Sequence, residues 1–539
     1  MTSLNLAAET RIETRRRPRF FPPFIYTAPA MLVAIGTLLP VAYLVLRALG
    51  AENFVELLFR PRTIEVLVRT LALTAAVTLT SITLSIPLAW LTVRTDLPLR
   101  RMWAVLIVLP LVIPSYVGGF TIVAALGPRG LAQQLLAPLG VERLPEIYGF
   151  FGAWFTLTLF SYPYVLLSVR AAVRGLDPSL EDAARGLGHS APGVFRRVVL
   201  PQLKPAIASG ALLVALYTLS DFGAVSLLQF DTFSRAIYTQ YRGSFDRSLA
   251  AVLSLVLVAI TLVLLFAEAR LRGRARYHRN GGGSKPPAPR ASLGRWRWPA
   301  LGFCALVVGL GVVMPLGVIG YWLIQGVSHG ETIHFVWQPT LNSLAASALA
   351  AAATLLGALP IAIMSVRHPG AWTSIIERVT YSGFALPPIA TALALVFFAA
   401  NFVPWLYQTL LMLILAYAVR FTPQAIGPIR ASLLQVSPHV EDAARGLGRT
   451  PLQVVRAITL PLVRPGILAG GALVFLTTMK ELPATLLLSP IGFTTLATQT
   501  WSATSEAFFA RAAVPAWLLV LFSSLSMIFV LAGERETKT

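Results

Sequence analysis

"EDAARGLG" occupies residues 181–188, and the same eight letters return at 441–448, 260 residues downstream. The octapeptide is the centre of a longer repeat, since 178–207 and 438–467 are identical at fifteen of thirty positions. At the same offset Pro163 pairs with Pro423. Further upstream the offset becomes 273, pairing Pro87 with Pro360, Arg94 with Arg367 and Pro114 with Pro387. The change falls in the loop 127–148, which is shorter in the second copy. Helices keep register while a connecting loop absorbs a length difference. The chain is one unit used twice.

The composition says what kind of unit. The 539 residues are 56% hydrophobic and 12% charged, with mean hydropathy +0.71, whereas soluble domains carry about 25% charged residues. A bilayer crossing takes roughly 20 apolar residues. Twelve such spans are predicted, near 25–46, 67–93, 103–126, 149–169, 205–229, 248–267, 299–325, 341–366, 378–400, 405–428, 466–489 and 512–533. Six spans per repeat return the chain to its starting side, so both halves share one orientation about a pseudo-twofold axis along the membrane normal. The predicted fold is all-α, twelve transmembrane helices in two parallel six-helix repeats. Its parts are a basic cytoplasmic tail (1–24), a first half (25–268, core about 65–268), a cytoplasmic linker rich in Gly, Pro, Ser and Arg (269–298), a second half (299–533, core about 340–532) and a short cytoplasmic tail (534–539).

The formal charge of +21 is mostly a topology signal. With both termini in the cytoplasm, 32 of the 44 Lys and Arg fall in cytoplasmic segments, as the positive-inside rule requires. That distribution argues against a nucleic-acid partner. The first span follows "RIETRRRPRF", is longer than a secretory h-region and has no small-residue cleavage site after it, so it is expected to be retained. Lone Cys304 excludes an intramolecular disulfide, and six scattered histidines form no ligand cluster.

Both octapeptides lie in a cytoplasmic loop between the fourth and fifth spans of their half. Asp177-Pro178 and Ser437-Pro438 are N-cap-plus-proline helix starts. Glu181 and Glu441 then fall in the first turn, where the helix dipole favours an anion. Gly186 and Gly188, with Gly446 and Gly448, end the helix. Ser190 and Thr450 are placed to cap a second short helix, which ends at Pro201 in the first copy. The expected product is a helix–turn–helix knob. Loops vary readily, so two halves that have diverged elsewhere keep eight consecutive loop residues only if something outside the membrane reads both. A twofold axis implies that the reader is a pair of similar subunits.

E-D-A-A-x-x-L-G, followed about a dozen residues later by L-P, resembles the "EAA" signature of the permease subunits of binding-protein-dependent bacterial ABC importers. The resemblance covers roughly 65–268 and 340–532 and matches the fused form, in which one chain carries both halves. It implies that Glu181, Asp182, Ala183, Gly188, Glu441, Asp442, Ala443 and Gly448 are the ATPase-coupling positions, although Asp182 and Asp442 stand where many members have alanine. It also implies two copies of an ABC ATPase on the cytoplasmic side, an external or periplasmic substrate-binding protein, and residence in the bacterial inner membrane. The chain has no G-x-x-x-x-G-K-[ST] phosphate loop, so no cofactor is expected in it, ATP and Mg belong to the partner, and no catalytic residues are assigned.

Charged residues inside spans are costly and default to function. Asp221, Arg420, Lys480 and Glu481 are the candidates for a substrate pathway, and the offset of 260 makes Asp221 and Glu481 equivalent. The alternative is structural: Lys480 or Arg420 neutralises an acid, and each acid caps a broken helix before Gly223 or Pro483. Two carboxylates suit a cationic cargo. The stretches 227–255 and 479–515 resemble ferric-iron importers of this family, with a fused thiamine permease as the nearest alternative and polyamine or phosphonate permeases next. Ferric iron asks for hard oxygen ligands, which Asp221, Glu481, Tyr217, Tyr238 and Tyr241 would only partly supply, so no firm metal site is assigned. A secondary transporter with twelve spans is the reading from a different class; it leaves the duplicated knob without a purpose.

Overall fold

The computed structural model describes residues 24–50, 54–128, 130–243, 248–271, 291–330 and 336–536. The linker core, both terminal tails and the 280–290 stretch lie largely or wholly outside them. Among the described residues the chain is helical, and the one β contact is an isolated bridge between Thr95 and Ala291. Helix is what an apolar segment must form in lipid, where each backbone N–H and C=O has to find its partner within the segment.

Nine helices among the described residues are long and apolar enough to cross a bilayer, or eleven if two bent pairs each count as one crossing. The last helix, Phe509–Glu536, is apolar through Leu525 but short of a full crossing over its described residues. The two bends correct the expectation of straight third and ninth spans. Arg100–Val112 turns by 96° into Ser115–Leu139, and Ala371–Gly383 by 102° into Pro388–Phe402. Each bend sits at a repeat proline. The residue before a proline is driven out of the helical region; Ile113 (ψ 120°) and Leu386 (ψ 135°) are accordingly extended.

The fifth and eleventh spans also differ from the expected continuous runs. Leu200–Ser220 stops at Asp221, and a five-residue helix, Gly223–Leu227, follows. Leu460–Met479 stops at Lys480, before the helix Pro483–Leu488. At their other ends both spans extend backwards. The short helix expected to end at Pro201 instead runs from Ala191 through a π-helical turn, Phe195–Val199, into Leu200–Ser220; Pro451–Val454 and Val455–Thr459 do the same before Leu460. Proline lacks the N–H that an α-helix needs, and a π-bulge changes the bonding by one residue. Pro201 and Pro461 therefore sit just past the wide turn and do not end the helix.

The two halves are interlocked. Helix Phe24–Leu49 packs against Trp337–Arg367, Ala371–Ala385 and Pro388–Phe402 of the second half. Tyr26, Ala30, Ala34 and Leu44 share one buried cluster with the second-half core. Conversely Cys304, Val307 and Val308 of the seventh span belong to the first-half cluster. Within each half the fourth and fifth spans meet at a glycine: a Cβ on Gly210 would lie 2.6 Å from Val165, and one on its equivalent Gly470 3.1 Å from Ala425. Small residues let membrane helices approach this closely.

Candidate functional site

The two octapeptides fold alike. Each forms one short amphipathic helix, Pro178–Gly186 and Pro438–Gly446. Asp177 caps the first, its carboxylate accepting from the Ser179 N–H at 3.1 Å; Ser437 makes no side-chain cap bond. Each helix closes on a paired C-terminal motif. The Gly188 N–H donates to Arg185 C=O at 2.9 Å and the His189 N–H to Ala184 C=O at 3.1 Å, with Gly448 to Arg445 (3.0 Å) and Arg449 to Ala444 (3.2 Å) in the second copy. The motif needs a left-handed residue, and Gly188 (φ 84°) and Gly448 (φ 83°) supply it. Gly186 and Gly446 remain helical and do not make the turn. Of the expected second caps, Ser190 makes no side-chain bond, while the Gln453 N–H donates to Thr450 Oγ1 at 3.4 Å.

Helical spacing sorts the octapeptide into two faces. Glu181 and Ala184 are buried, as are Glu441 and Ala444; Asp182, Ala183, Asp442 and Ala443 face outward. Asp182 and Asp442 are held by Arg185 and Arg445 at 3.1 and 3.3 Å, exposed pairs of little energetic weight. The tip of each knob is apolar: Leu187 is 81% and Leu447 85% exposed, with Leu180 and Val440 beside them.

What holds the buried acids was missed in the sequence. Glu181 is paired with Arg94 at the end of helix Pro61–Arg94, and Glu441 with Arg367 at the end of Trp337–Arg367. The Arg367 pair is two-pronged, Nε to Oε2 and Nη2 to Oε1, both at 3.1 Å. The Thr459 hydroxyl also donates to Glu441 Oε1 at 3.1 Å, and Arg367 Nη2 donates to the Val436 carbonyl at 3.0 Å. The signal was available, because Arg94 and Arg367 are paired by the repeat and end their apolar runs. His368 follows Arg367; burial, reinforced by the Arg445 cation, holds its pKa below the usual histidine value.

The intramembrane charges sit where the fifth and eleventh spans break. Asp221 accepts from the Ala224 and Val225 N–H groups at 3.0 and 3.3 Å, so it caps Gly223–Leu227. Glu481 accepts from the Ala484 and Thr485 N–H groups at 3.1 and 3.2 Å and from the Thr485 hydroxyl at 3.1 Å. Arg420 lies 3.5 Å from Glu481. Lys480 turns away and meets the Leu111 carbonyl of the other half at 3.4 Å; among the described residues it forms no ion pair. Of the four residues only Arg420 and Glu481 meet; Asp221 stands apart with its own cap, and Lys480 with the Leu111 carbonyl. The oxygen-bearing tyrosines are not gathered. Tyr217 packs at a tilt on Tyr164, Tyr241 meets Phe397 edge-on, and the Tyr238 hydroxyl accepts from Arg242 at 3.0 Å. No group of three His, Cys, Asp or Glu is placed to hold a metal ion among the described residues.

A cavity of about 330 Å³ opens between the halves, walled by Phe120, Arg235 and Tyr238 from one and Trp501, Thr504 and Phe509 from the other. Tyr238 and Trp501 both pack on the ring of Phe222, at 4.7 and 5.0 Å. Phe222 is the residue after Asp221, so the broken fifth span meets both halves at this point.

Comparison with known proteins agrees with this architecture. The chain is 38% identical, over 94% of its length and 98% of the relative's, to the Fe(3+)-transport system permease protein FbpB 2 of Haemophilus influenzae. It is 24% identical over 81% of its length, and 72% of the relative's, to the putative ferric transport system permease protein FbpB 1 of the same organism. The molybdenum transport system permease protein ModB of Mycobacterium tuberculosis matches 45% of this chain with 92% of its own length at 30% identity, as a relative built from one half would. A family model described as the inner membrane component of binding-protein-dependent transport systems matches twice, at residues 81–277 and 354–538, and the chain belongs to that family.

Proposed function

We propose that this chain is the transmembrane permease subunit of an ATP-driven importer for ferric iron, crossing the inner membrane twelve times with both termini in the cytoplasm. The observation that carries the mechanism is the duplicated knob. Two helices built on the same octapeptide, each closed by a left-handed glycine and each followed by an almost fully exposed leucine, stand at equivalent positions on the face where the Lys and Arg residues concentrate. A pair of ATPase subunits, one per knob, fits this symmetry. In this reading Glu181, Asp182, Ala183 and Gly188, with Glu441, Asp442, Ala443 and Gly448, make up the two coupling elements, the glutamates buried at their base and the aspartates and alanines facing outward. ATP and Mg are bound by the partner, and this chain has no catalytic role. An external binding protein delivers cargo to the opposite face, near the cavity shared by the halves.

The ferric assignment is supported by the iron-transport relative that matches nearly end to end, which favours iron over thiamine. Asp221, Arg420, Lys480 and Glu481 line or brace the pathway. Their charges sum to zero, and the two acids are spent on helix caps, so tight chelation is left to the binding protein and the channel offers only passing contacts. The test is reconstitution in proteoliposomes with candidate ATPase and binding-protein partners. ATP-dependent uptake of ⁵⁵Fe with iron-loaded binding protein supports the reading; uptake without ATPase, or of thiamine in place of iron, overturns it.

A further inference from the structure

We infer that Arg94 and Arg367 are positioning residues that fix the two docking helices to the membrane domain, and that Glu181 and Glu441 are the roots of the knobs and not their partner-reading tips. This deepens the importer reading and rests on it. The octapeptide acids are buried, 7% and 4% exposed, while the leucines eight residues before the next span's π turn, Leu187 and Leu447, are almost fully exposed. A charge so placed is read from inside the chain.

Each clamp joins three elements. Arg94 ends the second span, and its guanidinium lies over Trp90 at 5.8 Å; Trp90 in turn meets Phe195, in the π turn that starts the fifth span, edge-on at 5.6 Å. In the second half, Glu441 takes both prongs of Arg367 and the hydroxyl of Thr459, which lies in the matching π turn. Helix, knob and π turn therefore move together. The π turn runs straight into the helix that breaks at Asp221 or at Lys480–Glu481. A displacement of the knob is thereby delivered to the broken span, where the intramembrane charges sit. An arginine suits this role because its planar fork can meet a carboxylate at two points, as Arg367 does, while Arg94 reaches Glu181 through Nη2 alone.

The corners also receive the start of the opposite half's first span. At the first corner the Ala291 N–H donates to the Arg94 carbonyl at 2.8 Å, the Asp96 N–H to the Ala291 carbonyl at 3.2 Å, and the Leu293 N–H to Asp96 Oδ1 at 2.9 Å. At the second, the Tyr26 ring lies 6.4 Å from the His368 ring.

The experiment places a spin label at Leu187→Cys or Leu447→Cys in the full-length permease, where the native Cys304 is buried, and adds Arg94→Gln or Arg367→Gln. Label mobility in the isolated permease is expected to rise in each variant at its own corner only. In the complex, cargo-stimulated ATP hydrolysis is expected to fall at least tenfold while the KM for ATP stays unchanged. The swap Arg367→Glu with Glu441→Arg is expected to restore at least half of it. Should a Gln variant fail to accumulate, the Lys variant, which keeps the charge and loses the fork, is expected to show intermediate mobility. Unchanged mobility, or a swap that restores no activity while each Glu→Gln variant alone abolishes it, overturns the inference. A wild-type permease that binds no ATPase would sink the importer reading instead, since the mobility measurement needs no partner.

Discussion

Asp221 and Glu481 are equivalent by sequence, yet neutralising them should have unequal consequences. Asp221 makes two cap bonds to backbone N–H groups and, among the described residues, forms no ion pair. Asparagine caps almost as well as aspartate, so Asp221→Asn should cost about 1 kcal/mol, the difference between charged and neutral acceptors. Glu481→Gln keeps an acceptor for Ala484 and Thr485 but leaves Arg420, only 15% exposed, without its counter-charge. Breaking a buried pair from one side costs about 3–5 kcal/mol. The first half shows the remedy, because Phe160 stands at the position equivalent to Arg420. Arg420→Phe combined with Glu481→Gln should recover most of the loss, since a buried ion pair is often replaced by apolar residues at little cost. Thermal melting of the three variants beside the wild type in detergent reads this order directly. Equal destabilisation by Asp221→Asn and Glu481→Gln, or no recovery in the double variant, would refute the account. Uptake then separates roles: Asp221→Asn that melts normally but no longer transports places that acid in the pathway, and normal uptake removes it.

Leucine at both Gly188 and Gly448 forces a left-handed residue that costs about 1–2 kcal/mol per site; membrane insertion should persist while transport falls, and full transport would count against docking by the knobs. A protease site inserted within 280–290 should be cut without separating the halves, because the first span packs on the second half; co-purification of the two fragments measures this. His368 has a folded pKa below its unfolded value of about 6.5, so the unfolded chain takes up a proton that the folded chain refuses. Stability is therefore lost as pH falls through about 6.5, and His368→Gln should flatten the melting-temperature profile between pH 7 and 5.

The sequence alone determined a good deal. An apolar composition with rare charges forces helices, because lipid offers backbone groups no other partner. The offset repeat gave two parallel halves, and the glycine in the octapeptide marked the left-handed turn, since only a residue without Cβ takes that conformation freely. Breaks after Ser220 and at Lys480 were foreseen only as one alternative, and the bends at Pro114 and Pro387 were hidden within unbroken apolar runs. The interlocking of each half's first span with the other half left no trace in hydropathy, because lipid-facing and protein-facing apolar surfaces read alike. Tertiary structure alone decided the partners of the buried charges. Arg94 lies 87 residues before Glu181, and Arg420 chose Glu481 while Lys480, next to that acid in the chain, turned to Leu111 across the interface. Spacing along a chain fixes which face of a helix a charge occupies; which opposite charge it meets depends on how separate helices pack.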